Sequence, residues 1–400
     1  MTNSLLTSTM VTREALRILH QKLRFVGTIT RDYDDSFAKT GAKIGDSLKI
    51  RLPNQYVSNT GKTLVAQDTT EQSTTLQVGT QRHVGMNFSS ADLTMSIDDF
   101  SERVIEPAMA VLAAGIEADA LSMYKDVYQQ VNNTGAAATM ATLLNARKRL
   151  TDSLAPEEKR FVQLNTTDNV DLVDAFKGQF NAQQTISKQN IEGMQGRTAG
   201  FDFYENTLVS NHTRGGADAA YTTDTRTSAI PVSATAVTSL TVASGTGTIL
   251  KGDVFTIAGI FSVHPESKAR TGSLQQFTVT ADYAGGGGSI SISPSIVTDG
   301  AYQNVTIPSG SATAAMTFVG TASAAHGISL AYQKGAFAFA TADLLMPKGV
   351  DFGAREVFDG ISMRLVRQYD INNDNLPCRV DVLYGYKTLR PQLAARMANR

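Results

Sequence analysis

The sequence predicts an α+β protein carrying an all-β insertion, and three observations support that expectation. Residues 1–223 mix runs that alternate every second residue with runs that repeat every three or four, the marks of strand and amphipathic helix. Between Asp224 and Leu330 only nine residues are charged (Asp224, Arg226, Lys251, Asp253, Glu266, Lys268, Arg270, Asp282, Asp299), while Ser, Thr, Gly, Ala and Val fill short β-prone runs. After Leu330 the charged, alternating style returns. A unit of one composition inside a chain of another is best explained as an insertion, because both its ends must rejoin the same host.

Taken in order, the chain opens on a short helix with Thr12 as its predicted cap, Glu14 in its first turn, and Leu16, Leu19 and Leu23 on one face. In KIGDSLKIRLP, Leu48, Ile50 and Leu52 point inward against Lys49 and Arg51, and Pro53 ends the strand or puts it at an edge. A polar tip follows, and TTLQVGTQRHVGMNF returns as a second alternating run. Together these read as a long two-stranded ribbon, which is marginal in water without a neighbour to lie on. The longest helix is expected over 96–131. Ser96 and Asp99 stand at its start, and Ile105, Met109, Leu112, Ile116, Ala120, Met123, Val127 and Val131 lie on one face. Such a helix would be roughly 50 Å long, with a kink at Pro107 in its first third.

Beyond it, ATLLNARKRLTDSLAP reads as a helix stopped by Pro156, KRFVQLN as a buried strand, and TTDNVDLVDAFKGQF as a helix capped by Thr166 or Thr167. In the low-charge region SLTVAS, DVFTIAGI, QFTVTAD, SISISPSI and MTFVG are strands separated by turn residues. LKGDVFTIAGIFSVHPESK, Leu250 to Lys268, is a hairpin unit within it. GAFAFATADLL, ISMRLVRQYD and CRVDVLYGYKTLRP are the strands of the returning host.

Composition excludes several classes of function. With 36 Lys and Arg against 37 Asp and Glu, the formal net charge of −1 offers no chain-wide attraction to nucleic acid. The single cysteine, Cys378, excludes an internal disulfide framework and reads as a half-buried strand residue. The N-terminus lacks a basic region followed by an apolar run, and no window approaches the ~18 apolar residues of a membrane span.

Motifs for chemistry are equally sparse. Gly285 to Gly288 precedes a strand and not a helix, so it reads as a hairpin turn and not a phosphate loop. GKT at Gly61 to Thr63 lacks the first glycine of a phosphate-binding motif. His20, His83, His212, His264 and His326 are scattered, with no pair at metal-ligand spacing. The acidic groups at Asp32, Asp34 and Asp35 and at Asp370 and Asp374 read as solvated turns, and Arg147, Lys148 and Arg149 as a solvated helix face. A chain of 400 residues without a concentrated site is suited to building, so no catalytic residue, cofactor or metal is expected.

Four stretches in this order resemble the major capsid (coat) proteins of tailed double-stranded DNA phages with the Hong Kong 97-type fold. They are KIGDSLKIRLPNQY, GRTAGFDFYENTLV (Gly196 to Val209), GAFAFATADLLMP (Gly335 to Pro347) and VDVLYGYKTLRPQLAARM. LKGDVFTIAGI resembles the start of the β-barrel domain inserted in the short-tailed-phage branch of that family.

The resemblance implies an N-terminal arm (1–42), an extended loop (43–88) lying across a neighbouring subunit, a peripheral domain (89–137) with the spine helix 96–131, and an axial domain (138–223). An inserted β-domain (224–330) would follow, then return strands (331–400) of the axial and peripheral domains. The loop tip, Asn59, Thr60, Gly61 and Lys62, would make subunit contacts, and Pro107 would be a hinge. The implied function is self-assembly, as pentamers and hexamers, into an icosahedral shell that encloses DNA without reading its sequence. Scaffolding and portal proteins would be its partners, and assembly would occur in the host bacterial cytoplasm. The competing expectation is a carbohydrate-binding or host-adhesion protein, which accounts for the Ser/Thr/Gly-rich β region and leaves the long helix without a purpose.

Overall fold

The computed structural model describes residues 8–31, 47–68, 71–88, 104–176, 197–209, 211–218, 220–224, 230, 235–307, 313–350, 352–358, 360–371 and 376–400. They fall into two compact units, each assembled from separate stretches of chain. Elements are numbered in chain order.

One unit comprises residues 1–50, 73–121 and 337–389. Its five-stranded sheet is built on the long strand β21 (Leu376–Thr388). One edge of β21 pairs antiparallel with β3 (Thr80–Phe88), from Leu376↔Phe88 to Tyr384↔Thr80. The other edge pairs first with β20 (Ile361–Arg367), which carries β19 (Phe352–Phe358), and then with β18 (Phe337–Ala342). Helix α1 (Ser8–Lys22) packs on β19 and β20, and the single turn α2 (Phe25–Thr28) leads the chain to Thr30, which bridges Ala338 in parallel. Helix α3 (Glu106–Leu121) lies against α1, α2 and β3.

The first helix thus begins four residues earlier than the expected cap. Thr12 is inside α1 and fully buried, while Leu16, Leu19 and Leu23 form the buried face as their spacing requires. The expected 96–131 helix is shorter among the described residues: a wide π-type turn at Val104 and Ile105 runs into α3, and Ser122–Asp126 tighten into a 3-10 turn. Val131 belongs instead to strand β4 (Gln130–Asn132). Val127 and Val131 are buried all the same, which is why the apolar spacing ran past the end of the helix. Ser96 and Asp99 lie outside the described residues.

The ribbon is also shorter than its alternation suggests. β1 (Ser47–Arg51) pairs with β2 (Ser73–Gln77), and the second run then breaks at Val78 and Gly79, so that β3 joins β21 in a different sheet. Its base has an intramolecular support. Ile50, Leu76 and Val78 are buried against Ala338, Ala340, Ala342, Leu344 and Leu383, where alanines on β18 leave room for the larger side chains.

The second unit comprises residues 51–72, 122–336 and 390–400. Its mixed six-stranded sheet runs β4, β22 (Ala394–Ala398), β17 (Ile328–Gln333), β5 (Arg160–Leu164), β7 (Phe201–Glu205) and β6 (Arg197–Thr198). The β4–β22 and β5–β7 pairs are parallel. Helix α4 (Met140–Asp152) packs on it, started by Thr139, whose hydroxyl accepts from Thr142 N while Thr142 Oγ1 accepts from Thr139 N. Helix α5 (Thr166–Phe176) is capped by Asn165, whose side chain accepts from Thr167 N at 3.2 Å, one residue before the expected cap.

Strands between Thr222 and Phe318, starting two residues ahead of the composition break, form a seven-stranded antiparallel sheet. Its path is β14 (Val305–Thr306), β11 (Val254–Val263), β12 (Arg270–Val279), β13 (Gly288–Ile296), β10 (Val237–Ser244) and β9 (Thr222–Thr223), with β15 (Met316–Phe318) also on β11. It has a core of its own, including Tyr221, Leu240, Ile249, Phe255, Ile257, Phe277, Ile290 and Phe318.

Candidate assembly segment and buried polar centre

Two features stand out from a protein otherwise held together by ordinary cores: an exposed segment and a buried cluster of ionisable side chains. Neither assembles a nucleophile, a base and an open cleft.

The exposed segment runs over residues 52–68 without regular structure. Asn59, Thr60, Gly61 and Lys62 are all exposed and sit together at its bend. It also presents apolar side chains to solvent: Tyr56 and Val65 are more than half exposed, and Leu64 is 89% exposed. Gln67 pinches its two limbs, accepting from Val57 N at 2.9 Å and donating to Val57 O at 2.5 Å, and Arg51 pairs with Glu71 at 3.2 Å. Pro107 is exposed and is the second residue of α3. It follows the π-type turn at Val104 and Ile105.

The buried cluster joins the seven-stranded sheet to the six-stranded one. His212 on β8 (His212–Thr213) stands opposite His326 on β16 (Ala325–His326), with ring centroids 5.5 Å apart. His212 Nε2 meets Asp253 Oδ1 at 2.9 Å and its Nδ1 meets the Tyr124 hydroxyl at 3.3 Å. Asp253 also accepts on Oδ2 from Leu250 N (2.9 Å) and Gly215 N (3.0 Å), so that it closes the turn that starts β11. Gly252 occupies this turn with φ +96°, and a Cβ there would meet Lys125 Cγ at 3.0 Å and His212 Cε1 at 3.1 Å. Its carbonyl accepts from Arg396 Nη2 on β22.

Arg396 is fully buried, with Nε and Nη1 unpaired, and burial lowers its pKa to about 10. Burial, with His212 and Arg396 close by, pushes His326 down to about 4, so its ring is neutral near pH 7 and its Nε2 has no partner. Amide side chains complete the seam. Gln130 N donates to Gln276 Oε1 at 2.9 Å and Gln276 Nε2 donates to Gln130 O at 3.0 Å, while Thr278 Oγ1 donates to Lys125 O at 3.0 Å. One long side chain thus takes the place of a strand pairing between β4 and β12.

Spacing alone does not reveal this centre, because its members lie on elements far apart in sequence and converge only when β8 pairs with β16. The one local signal was the Gly252–Asp253 turn before a strong β run. Cys378 is buried on β21, and burial raises its thiol to about 11, which makes it unreactive. Among the described residues no three His, Cys, Asp or Glu side chains group as a metal site.

Comparison with known families resolves what such a site-poor chain is. The model of the family described as "P22 coat protein - gene protein 5" matches residues 1–397. The chain belongs to the P22 coat protein family. This coat protein is therefore a structural subunit of a phage capsid shell, built from many copies, and its place is the virion. Among solved structures it is similar to a chain from Mycobacterium phage Che8, at 10% identity over 94% of this chain and 90% of that one, with a TM-score of 0.49. The corresponding values are 6%, 95%, 92% and 0.45 for the capsid of Ralstonia phage GP4, and 11%, 91%, 85% and 0.42 for the capsid of cyanophage P-SCSP1u. No curated protein sequence matches the coat protein significantly.

Proposed function

We propose that this coat protein closes, as pentamers and hexamers, into an icosahedral shell that encloses double-stranded DNA, and that its exposed segment 52–68 reaches across to a neighbouring copy. The family match over residues 1–397 carries the reading. The segment supports it: Tyr56, Leu64 and Val65 expose apolar surface beside the polar bend Asn59–Lys62, and a second copy would cover it. Many modest contacts of this kind make a closed shell stable through avidity. A net charge of −1 suits a container that holds DNA without adhering to it.

In this reading residues 1–42 are the arm, 43–88 the extended loop, 89–137 the peripheral domain, 138–223 with 331–400 the axial and return segments, and 224–330 an inserted β-domain. Pro107 is a hinge between quasi-equivalent shapes. The protein has no catalytic role, it assembles in the host bacterial cytoplasm, and scaffolding and portal proteins are its partners.

The test is electron microscopy of the chain expressed in bacteria, alone and with its neighbouring phage genes. Uniform closed shells are the expected result, and a requirement for the neighbours identifies scaffolding. Leu64→Ser with Val65→Ser should abolish shells and leave the melting temperature of the subunit unchanged. Monomers in both preparations, with glycan binding through residues 224–330, would return the adhesion reading.

A further inference from the structure

The face that α3 turns inward is apolar, formed by Ala108, Met109, Leu112, Ala113, Ile116, Ala120 and Leu121, with one exception. Glu117 lies in the middle of it at 2% exposure. Its Oε1 accepts from Phe25 N at 2.8 Å, at the first residue of α2, and its Oε2 has no hydrogen-bond partner. Phe25 and Val26 are fully buried, and Phe25 stacks edge-on to Phe337 at 5.6 Å between centroids. The carboxyl is therefore sealed in by the same short turn whose amide it holds.

The ionised and neutral forms of this group have opposite consequences. A neutral carboxyl keeps the bond from Phe25 N and leaves one weakly polar group buried. A carboxylate leaves a charged oxygen in an apolar pocket without a donor, which is far more costly. The other charges on the elements around it are engaged elsewhere. On α1, Arg17 pairs with Glu14, Lys22 with Glu106, and Arg13 with Glu356 of β19. Arg82 of β3 makes two bonds of 2.8 Å to Asp119 of α3, and Arg364 of β20 binds Asp381 at 2.7 Å. Arg24 precedes α2 with its side chain exposed, and both its backbone amide and its charge favour the carboxylate, together with the amides of Phe25 and Val26, less strongly than burial opposes it.

We propose that Glu117 is a pH-sensitive latch: protonated, it holds the N-terminal segment Ser8–Thr28 against α3, and on ionisation it lets that segment open to water. The latch lies within a single subunit and does not depend on how the shell is built. Burial raises the carboxyl from 4.5 to about 7, outweighing the backbone amides around Phe25, which favour the charged form. The closed state is thus favoured most below pH 4.5 and progressively less up to pH 7, above which the loss is complete. Each unit of that difference is tenfold in the closed-to-open ratio, so a fall on the order of a hundredfold is expected across the range.

Amide hydrogen exchange of the full chain between pH 5.5 and 8.5, corrected for intrinsic rates, reads this directly. Protection of residues 11–28 should fall at least tenfold in the wild type while β21 holds its protection. Glu117→Gln keeps an acceptor for Phe25 N without the charge, and should show pH-independent protection of residues 11–28. Glu117→Leu tests the same point without an amide and should also be flat. Protection that is constant in the wild type, that rises with pH, or that falls equally in the variants overturns the latch.

Discussion

His212 and His326 face each other across an antiparallel bridge with their ring centroids 5.5 Å apart, and only His212 has a carboxylate, Asp253, in contact. The unfolded chain takes up a proton on His326 near pH 6.5, whereas the folded chain does so only near pH 4. The stability this neutral ring allows is complete above pH 6.5 and is lost as pH falls towards 4. After allowance for solvent screening the loss is about 1–2 kcal/mol. His326→Phe keeps the ring contact and should remove that part of the acid slope. Urea unfolding at pH 7 and pH 4.5, followed by circular dichroism, compares the two proteins.

Asp253 and Arg396 should respond unequally to replacement. Asp253→Ala strips acceptors from His212, Gly215 N and Leu250 N at once, and should cost about 3–5 kcal/mol. Arg396→Met fills a similar volume and removes a buried cation with two unpaired donors, so its cost should stay under about 1 kcal/mol. Equal losses in denaturant titrations would show that the Arg396 bond to Gly252 O dominates the seam.

Gln276 replaces a strand pairing, so its amide cannot be shortened without consequence. Gln276→Ala leaves Gln130 N and O without partners inside the protein and should cost about 2 kcal/mol. Gln276→Glu keeps the acceptor for Gln130 N but sets a negative charge against Gln130 O, and should cost more at pH 7 than at pH 4. Thermal unfolding at the two pH values distinguishes them.

In the other unit, Gly385 is where β21 passes under the end of β2. A Cβ at this position would lie 2.2 Å from Gln77 O and 3.0 Å from Val78 Cα, both backbone atoms that cannot turn aside. Gly385→Ala should therefore cost about 1–3 kcal/mol and expose Leu76 and Val78, seen as faster exchange over residues 73–78. Gly272→Ala, where a Cβ meets nothing within 4 Å, suffers only the strain of φ +83° and should leave residues 73–78 unchanged.

Much of the architecture was legible before any coordinates. Leu16, Leu19 and Leu23 face inward because helical spacing put them there, and the run DVFTIAGI is a strand because β-branched and aromatic residues fill it. The β-prone runs after Asp224 are strands of one sheet, whose core already takes in Ala217 and Tyr221 ahead of the composition break. Collinear soft motifs pointed to the coat-protein family that the match over residues 1–397 establishes. What the sequence misplaced were ends and partners: Thr12 in place of an earlier helix start, Val131 in a helix in place of β4, and one long return strand in place of β2 and β3.

The sequence by itself determined which residues are buried along each element, since period and side-chain type act over a few neighbours and are written locally. Only the tertiary structure decided which elements meet. His212 acquires Asp253, His326 and Arg396, Gln130 acquires Gln276, and Glu117 acquires the Phe25 amide through pairings between distant segments. Those pairings are selected by the shape and register of whole sheets, for which no single stretch of chain holds the information.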